Sequence, residues 1–340
     1  MPTVYVFGAG ASSDAGYPLA SKMGGGLLEF MLKSESRGIR GGKFLIDNFG
    51  TSPKVEDLIT EIQSQIEELK NAKALEDRTR RTSLGRSLAW LGIALRDWFR
   101  EIHVRDAPGY AAFADKILRP GDVIITFNYD DSLERELKKC EKWDISQGYG
   151  FPLSETVRPS DVLVLKLHGS INWHMSGFGG ATGGTLLLDP PSSLGEHPVV
   201  ERRDWEFLGY DDFAGHIYNG GVELPCLILP GRTKEFFVPT SFGDEYKGFW
   251  DLLWSQARGA LKANESIIIC GYSLPTADQD ARDLLLKGPH KGAHIEIISG
   301  NQTDRIASEF RGAGFSNVAT FKGGYFADWC NAHRTFDGQI

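Results

Sequence analysis

Five short runs of β-branched and other apolar residues recur along the chain, and each ends in small or polar residues. The runs are TVYVFG (3–8), DVIITFN (122–128), DVLVLKL (161–167), SIIICG (266–271) and HIEIIS (294–299). Continuous apolar runs of this length are typical of strands buried on both faces of a parallel sheet. They predict an open α/β fold. Because ligands of such sheets bind beyond the carboxyl ends of the strands, we expect the chemistry at these five strand ends.

Between the first and second strands the apolar spacing changes to that of helices. Apolar residues recur every three or four positions over 55–69, and Ser52 predicts the N-cap of that helix. A second helix is predicted over about 83–102. The polar run 71–82 between them includes RTRR and predicts a solvated connection rather than a binding element. These segments predict a helical insertion at about 50–118.

The composition changes again at about residues 173–246, which are rich in Gly, Pro, Asp and aromatic residues. This segment predicts a small irregular second lobe over one edge of the sheet, with a short strand at CLILP (226–230). A helical pattern returns over 247–264. We therefore expect a single domain over 1–330, followed by a C-terminal tail at 331–340.

Composition excludes several classes of protein. The chain has 340 residues, of which 41% are hydrophobic, and a formal net charge of -8, which makes direct nucleic-acid binding an unfavourable hypothesis. The N-terminus lacks the basic segment of a signal peptide, and no apolar run approaches the ~20 residues that span a bilayer. We expect a cytoplasmic protein without a membrane association.

The cysteines give no indication of a metal or disulfide framework. Cys140, Cys226, Cys270 and Cys330 lie far apart, and no two of them form a C-x-x-C pair. We interpret them as core thiols and expect no zinc and no other metal.

The first strand end reads GAGASSDAGYP (8–18). Gly8 and Gly10 permit a tight turn and close approach of the backbone to a pyrophosphate, and the following helix N-terminus favours anions. The segment departs from G-x-G-x-x-G because Ser13 stands at the third glycine position. A glycine-rich turn without a ligand is an equally good interpretation of this motif alone.

The next two strand ends carry an amide, a carboxylate and an imidazole. In TFNYDD (126–131), Asn128 is able to orient a water or a ribose hydroxyl, and Asp130 is able to act through its charge or to cap the helix that follows. In LKLHGS (165–170), His168 follows a buried strand and precedes a glycine, and its ordinary pKa suits proton transfer near neutral pH. A histidine satisfied by a backbone carbonyl is the alternative interpretation.

The last two strand ends are CGYSLPTADQD (270–280) and ISGNQ (298–302). Gly271 allows a turn, Ser273 offers a hydroxyl with Asp278 and Asp280 nearby, and Ser299 and Asn301 offer hydrogen bonds to a ribose or an adenine edge. Ordinary turn chemistry explains the same residues equally well.

Taken together, the strand ends resemble the sirtuin (SIR2-like) family, specifically its divergent bacterial branch of NAD hydrolases associated with antiphage defence. The matching motifs are GAGAS (8–12), GYP (16–18), TFNYD (126–130), LHGS (167–170), GYSLPTAD (271–278) and SGN (299–301). They occur in the order of the family and cover the chain from Val4 to about Asn301.

The resemblance implies a Rossmann-like parallel sheet with helices on both faces, and NAD as the substrate. It implies that Asn128 and His168 form the catalytic pair at the nicotinamide ribose, with Asp130 in a supporting electrostatic role. The residues that it places around the dinucleotide are Gly8, Ala9, Gly10, Ala11, Ser12, Tyr17, Pro18, Thr126, Phe127, Gly271, Tyr272, Ser273, Asp278, Ser299 and Asn301.

Three departures from the protein deacylases of the family favour NAD hydrolysis. The paired C-x-x-C motifs of their zinc module are missing, Tyr129 stands where isoleucine is common, and GYS (271–273) replaces GTS. The resemblance therefore implies an NAD hydrolase that releases nicotinamide and ADP-ribose, and cyclisation of the ribosyl group stays open. The alternatives are an NAD-dependent deacylase or ADP-ribosyltransferase, and a nucleotide-binding or nuclease subunit of a DNA-associated complex.

Family precedent also implies activation by assembly, because an enzyme that drains NAD is toxic when unregulated. We expect a homo-oligomer and an activating partner such as a HerA-like ATPase or a short Argonaute-type protein. The helical insertion is either a contact surface for that partner or a hairpin packed over the NAD site, and the sequence favours neither.

Overall fold

The structure is a computed structural model. It describes residues 2–102, 106–150, 161–177, 184–188, 200–202, 222–229, 231 and 243–333, some of them by their backbone alone. Within these ranges no helix combines the length and the hydropathy that crossing a bilayer requires.

Six parallel strands form the main sheet, and the five predicted strands are confirmed. The strands are β1 (Thr3–Phe7), β2 (Val123–Thr126), β3 (Leu163–Lys166), β8 (Ser266–Cys270), β9 (His294–Ile298) and β10 (Val318–Thr320). Their order in the sheet is β10-β9-β8-β1-β2-β3. This is the doubly wound Rossmann order, in which the chain changes direction between β1 and β8 and opens a crevice at their carboxyl ends.

The second sheet is antiparallel and lies in the region where an irregular lobe is expected. Its strands are β4 (Gly169–Gly177), β5 (Gly184–Leu188), β6 (Val200–Arg202) and β7 (Val222–Leu227), in the order β6-β5-β4-β7. β4 begins three residues after β3 ends, so the second lobe starts before the predicted residue 173. These four strands are regular, so the expectation of an irregular lobe is wrong for them. Of the other residues between 173 and 242, the structure describes only 228, 229 and 231.

The helices follow the strands on both faces of the main sheet. They are α1 (Ala20–Lys33), α2 (Gly42–Phe49), α3 (Val55–Glu68), α4 (Leu75–Ile102), α5 (Pro108–Ala112), α6 (Ser132–Lys139), α7 (Gly243–Ala263), α8 (Gln279–Lys287), α9 (Thr303–Gly312) and α10 (Phe326–His333). α10 includes the first three residues of the predicted tail, and residues 334–340 lie outside the described ranges.

Two details of the predicted helical insertion are wrong. The N-cap position of α3 is Lys54 rather than Ser52, and its side chain makes no capping hydrogen bond. α4 begins at Leu75, so most of the polar run 71–82 is helical rather than a solvated connection. The arginines of this run hold it against α3, because Arg80 donates to the Gln65 side chain at 3.0 Å and Arg81 donates to a backbone carbonyl at 2.8 Å. Apolar spacing does not detect a helix stabilised by such polar contacts.

Candidate active site

A cavity of about 420 Å³ lies at the carboxyl ends of β1, β2, β3, β8 and β9. All but two of the predicted site residues line it. Those that do are Gly8, Ala9, Gly10, Ser12, Tyr17, Pro18, Phe127, Asn128, Asp130, His168, Gly271, Tyr272, Ser273, Asp278, Ser299 and Asn301. The two exceptions are Ala11 and Thr126, which are buried behind the lining.

The loops after β1 and β8 pack directly against each other, and glycines make this contact possible. The Gly8 N–H donates to the Cys270 carbonyl at 3.0 Å, and the Gly10 N–H donates to the Gly271 carbonyl at 2.9 Å. Gly271 has a φ of +64°, and a Cβ there would lie 2.3 Å from the backbone nitrogen of Ala11. The glycines therefore permit contact between two loops, and the N–H groups of Gly8 and Gly10 donate across that contact.

The helix N-terminus that we expected directly after the glycines lies further along the chain. Residues Ala9–Ser12 form a short 3₁₀ turn, and α1 begins only at Ala20. Leu19, Ala20 and Ser21 nevertheless line the cavity. The positive end of the α1 dipole therefore still lies at this edge of the cavity.

Asn128 follows β2, and its side-chain amide is held in one orientation. Its Nδ2 donates to the Gly8 carbonyl at 3.0 Å and to Ser12 Oγ at 3.0 Å, and lies 3.2 Å from the Tyr110 hydroxyl. Its backbone N–H donates to Thr126 Oγ1 at 3.1 Å. Because a carbonyl oxygen only accepts hydrogen bonds, the Gly8 contact fixes the amide nitrogen on that side. Oδ1 is therefore the polar atom that Asn128 presents to the cavity.

His168 follows β3, and its imidazole lies beside the Asp278 carboxylate. Its Nε2 lies 3.0 Å from Asp278 Oδ2, and both side chains are almost fully buried. The other oxygen of Asp278 accepts the Ala281 N–H at 3.2 Å and caps α8. The imidazole packs edge-on against Phe127 at 5.1 Å between ring centroids. Asp278, which we expected beside the dinucleotide, therefore fixes the orientation of His168 as well as lining the cavity.

The glycine after His168 is explained by the second sheet rather than by a ligand. Gly169 has a φ of +78°, and a Cβ there would lie 2.0 Å from the Cys226 carbonyl. The His168 carbonyl accepts the Ile228 N–H at 2.9 Å, and the Tyr129 hydroxyl donates to the Ile228 carbonyl at 2.8 Å. Ile228, just after β7, is thus hydrogen-bonded to both His168 and Tyr129 and fixes the backbone that carries the imidazole.

Asp130 lines the cavity and precedes α6, whose N-cap position is Asp131. Its Oδ1 accepts the Ser132 N–H at 3.1 Å, and its electrostatic role stays a prediction. Its backbone carbonyl accepts a hydrogen bond from the Lys166 ammonium group, which also contacts Glu134 Oε1 at 2.7 Å. Both members of this ion pair are 0% exposed. A buried charge pair thus fixes the backbone of the second strand end.

The far end of the cavity is formed by the loop after β9 and by the start of α10. Ser299 Oγ donates to the Tyr272 carbonyl at 3.5 Å, and Asn301 lies two residues further along the cavity wall. Gly300 has a φ of +55°, and the Tyr325 ring packs so closely on it that a Cβ would lie 2.2 Å from the ring. Tyr325 is 56% exposed and forms the outer wall at this end.

Several lining residues lie outside the motifs and escaped the sequence analysis. Met23, Val55, Glu56 and Phe99 come from α1, α3 and α4, and Tyr325 precedes α10. The helical pattern predicts α3 and much of α4, but it does not show which side of a helix faces a cavity. The insertion therefore contributes to the cavity wall, and its role as a contact surface for a partner stays a prediction.

The cavity is acidic. The carboxylates of Glu56, Asp130 and Asp278 line it with the single imidazole of His168, and no Lys or Arg is among the described residues of the lining. Burial raises the pKa of Glu56, and the negative charges of Asp57 and, to a smaller extent, Asp278 also raise it. In the described part of the chain, no group of three or more His, Cys, Asp or Glu residues is arranged to hold a metal ion.

Comparison with known proteins gives only distant similarity. No protein-family model matches the chain, and no curated protein matches it. A solved complex of a Sir2 homologue with NAD has a TM-score of 0.40 at 15% identity, and the match covers 98% of this chain and 88% of that one. An ADP-ribose complex of a mutant Sir2 homologue has a TM-score of 0.41 at 15% identity, with 100% and 94% covered. A Sir2 enzyme structure from work on mechanism and regulation has a TM-score of 0.37 at 14% identity, with 96% and 90% covered.

Proposed function

We propose that this protein is a sirtuin-like NAD+ hydrolase that cleaves the bond between nicotinamide and ribose and releases nicotinamide and ADP-ribose. The observation that carries this proposal is the meeting of Asn128 and His168 in one cavity at the switch point of a Rossmann-like sheet. The two residues come from different strand ends, and each is held in a defined orientation by buried partners.

The geometry supports a specific division of roles. NAD+ lies with its phosphates toward the turn at Ala9–Ser12 and the start of α1, and with its adenosine toward Ser299 and Asn301. The nicotinamide ribose then lies between Asn128 and His168. When the C1′–N bond breaks, its electron pair passes to the nicotinamide nitrogen, which is already cationic, so the leaving group needs little acid catalysis.

Water then attacks C1′ of the ribosyl cation. Asn128 Oδ1 accepts a hydrogen bond from this water and orients it, and His168 accepts a proton from the water or from a ribose hydroxyl. The carboxylate of Asp278, at 3.0 Å, stabilises the imidazolium that forms. Asp130 adds negative charge near the developing cation.

Two features favour hydrolysis over deacylation. The four cysteines contain no C-x-x-C pair from which the zinc module of the deacylases is built, and the acyl-lysine groove of those enzymes forms against that module. Tyr129 next to Asn128 stacks on His168 at 6.1 Å between ring centroids, which brings a bulky aromatic ring to the nicotinamide side.

We also propose a biological role as an effector of bacterial antiphage defence that acts by depleting NAD. In this proposal, the enzyme is a homo-oligomer, and a partner such as a HerA-like ATPase or a short Argonaute-type protein activates it. The basis is the resemblance of the motifs to that branch of the family.

The experiment is release of nicotinamide from NAD+ by purified protein at several concentrations, alongside Asn128→Ala and His168→Ala. We expect turnover without any peptide, and its loss in both variants. The matched controls are Asn48→Ala and His290→Ala, which remove exposed side chains of the same types and leave turnover unchanged. Release that depends on an acetylated peptide would favour the deacylase, and failure of the wild-type protein to bind NAD+ would contradict the proposal.

A further inference from the structure

Glu56 projects from the helical insertion into the cavity described above and has no part in the mechanism given so far. It lies in the first turn of α3, between the fully buried side chain of Val55 and the 2% exposed side chain of Leu58. The start of α3 packs tightly on α1, because a Cβ on Gly24 would lie 2.2 Å from the Pro53 carbonyl. The position of Glu56 is therefore fixed by the packing of two helices.

The Glu56 carboxylate differs from the other two in the cavity. Asp278 is paired with His168, and Asp130 accepts a backbone N–H. The Glu56 carboxylate accepts a hydrogen bond from its own backbone N–H, and its remaining lone pairs are able to accept from a ligand. Packing places this part of α3 near the imidazole, because Ile59 lies against Gly231 and the nearby Ile228 N–H donates to the His168 carbonyl. The partly buried carboxylate of Glu56 therefore lines the cavity on the side of His168.

Favourable interaction with the helix dipole does not by itself explain this residue. Acidic residues in a first helical turn stabilise a helix, and α3 carries both Glu56 and Asp57 there. Asp57 is exposed and does not line the cavity. Only Glu56 combines that position with a place in the cavity wall, and Asp57 provides a matched control.

We propose that Glu56 is a specificity residue, whose carboxylate faces the cationic nicotinamide ring and makes the cavity prefer positively charged NAD+ to uncharged dinucleotides. This inference rests on the proposed function. NADH has nearly the same size as NAD+ but lacks the ring charge, so steric fit distinguishes the two poorly and a nearby carboxylate distinguishes them well. During cleavage the positive charge passes to the ribosyl group, and the same carboxylate continues to stabilise it.

The test compares three ligands by equilibrium binding. Carba-NAD+ keeps the ring charge and is not hydrolysed, NADH is uncharged at the ring, and ADP-ribose lacks the ring and reports the shared half of the site. We expect the wild-type protein to bind carba-NAD+ about fivefold more tightly than NADH, as for a partly exposed ion pair. In Glu56→Gln this ratio falls to about one while the Kd of ADP-ribose is unchanged, and Asp57→Asn behaves as the wild-type protein does.

The outcomes separate the two levels of the proposal. A ratio that persists in Glu56→Gln, or a wild-type protein that does not prefer carba-NAD+, overturns the role of Glu56. If none of the three ligands binds, the proposed function itself fails. Should Glu56→Gln not fold, the wild-type protein still gives an answer, because a preference based on charge declines as salt is added. A preference for carba-NAD+ that salt does not change would contradict the inference.

Discussion

The buried ion pair behind the candidate site provides a prediction about stability. Lys166 Nζ lies 2.7 Å from Glu134 Oε1, both side chains are 0% exposed, and the ammonium group also donates to the Asp130 carbonyl. Lys166→Met has a similar volume but removes the charge. It leaves the Glu134 carboxylate buried without its counter-ion and the Asp130 carbonyl without its donor.

The magnitude follows from these two losses. Breaking a buried ion pair by removing one partner costs about 3–5 kcal/mol. A lost hydrogen bond to a buried carbonyl adds about 1 kcal/mol, while uptake of a proton by Glu134 reduces the total. We expect Lys166→Met to lower the free energy of unfolding by about 4 kcal/mol at pH 8. The double variant Lys166→Met/Glu134→Leu removes both charges and should lie within about 2 kcal/mol of the wild-type protein.

The pH dependence of this loss has a definite sign. Burial raises the pKa of Glu134 in the folded chain, and Lys166 opposes that rise. A raised folded-state pKa means that the stability contributed by Glu134 is complete below its unfolded pKa and is lost as pH rises through the folded value. Removing Lys166 raises the folded value further. The destabilisation by Lys166→Met should therefore be smaller at pH 5 than at pH 8, and this difference should vanish in the double variant.

The assay is urea unfolding followed by tryptophan fluorescence at both pH values. Lys33→Met is the exposed control, because its pair with Glu29 has side chains 72% and 66% exposed. Because solvent screens this pair, Lys33→Met should leave the urea midpoint nearly unchanged. The reasoning is refuted if Lys166→Met costs under about 1 kcal/mol. It is also refuted if the separate costs of Lys166→Met and of Glu134→Leu add up to the cost of the double variant within about 0.5 kcal/mol.

Two further predictions concern the site itself. Asp278→Asn keeps the cap of α8 but removes the carboxylate beside His168. We therefore expect kcat for NAD+ to fall by about a hundredfold while the urea midpoint changes little. An unchanged kcat would contradict the role of Asp278 beside His168. Gly271→Ala places a Cβ 2.3 Å from backbone at a φ of +64° and should lower the free energy of unfolding by more than about 2 kcal/mol. Gly259→Ala in α7, where a Cβ meets nothing within 4 Å, should instead stabilise by about 0.5–1 kcal/mol.

The sheet was predictable because burial on both faces makes a strand a continuous apolar run. The same rule explains the strand that was missed. β10 has three residues, Val318–Thr320, none of them fully buried, so it forms no such run. The start of α4 was missed for a different reason, since Arg80 and Arg81 hold it through polar contacts that leave no periodic pattern.

The candidate site was predictable as a set of strand ends but not as a set of contacts. The sequence places His168 and Asp278 after two different strands. Only the folded structure shows that His168 Nε2 lies 3.0 Å from Asp278 Oδ2. The sequence did not identify Glu56, because a helix face is polar both where it meets solvent and where it meets a polar cavity. The glycines were recognised, but the partner of Gly271 is the loop after β1, and that of Gly169 is the backbone near the end of β7.

The central claim is that water is the acceptor for the ribosyl group in this cavity. The most direct measurement incubates the protein with NAD+ and quantifies nicotinamide, ADP-ribose, cyclic ADP-ribose and acyl-ADP-ribose by mass spectrometry, with and without an acetylated peptide. The account predicts equal amounts of nicotinamide and ADP-ribose, independent of the peptide and absent in Asn128→Ala and His168→Ala. Nicotinamide release only with the peptide, or equal release by the two variants and the wild-type protein, would contradict it.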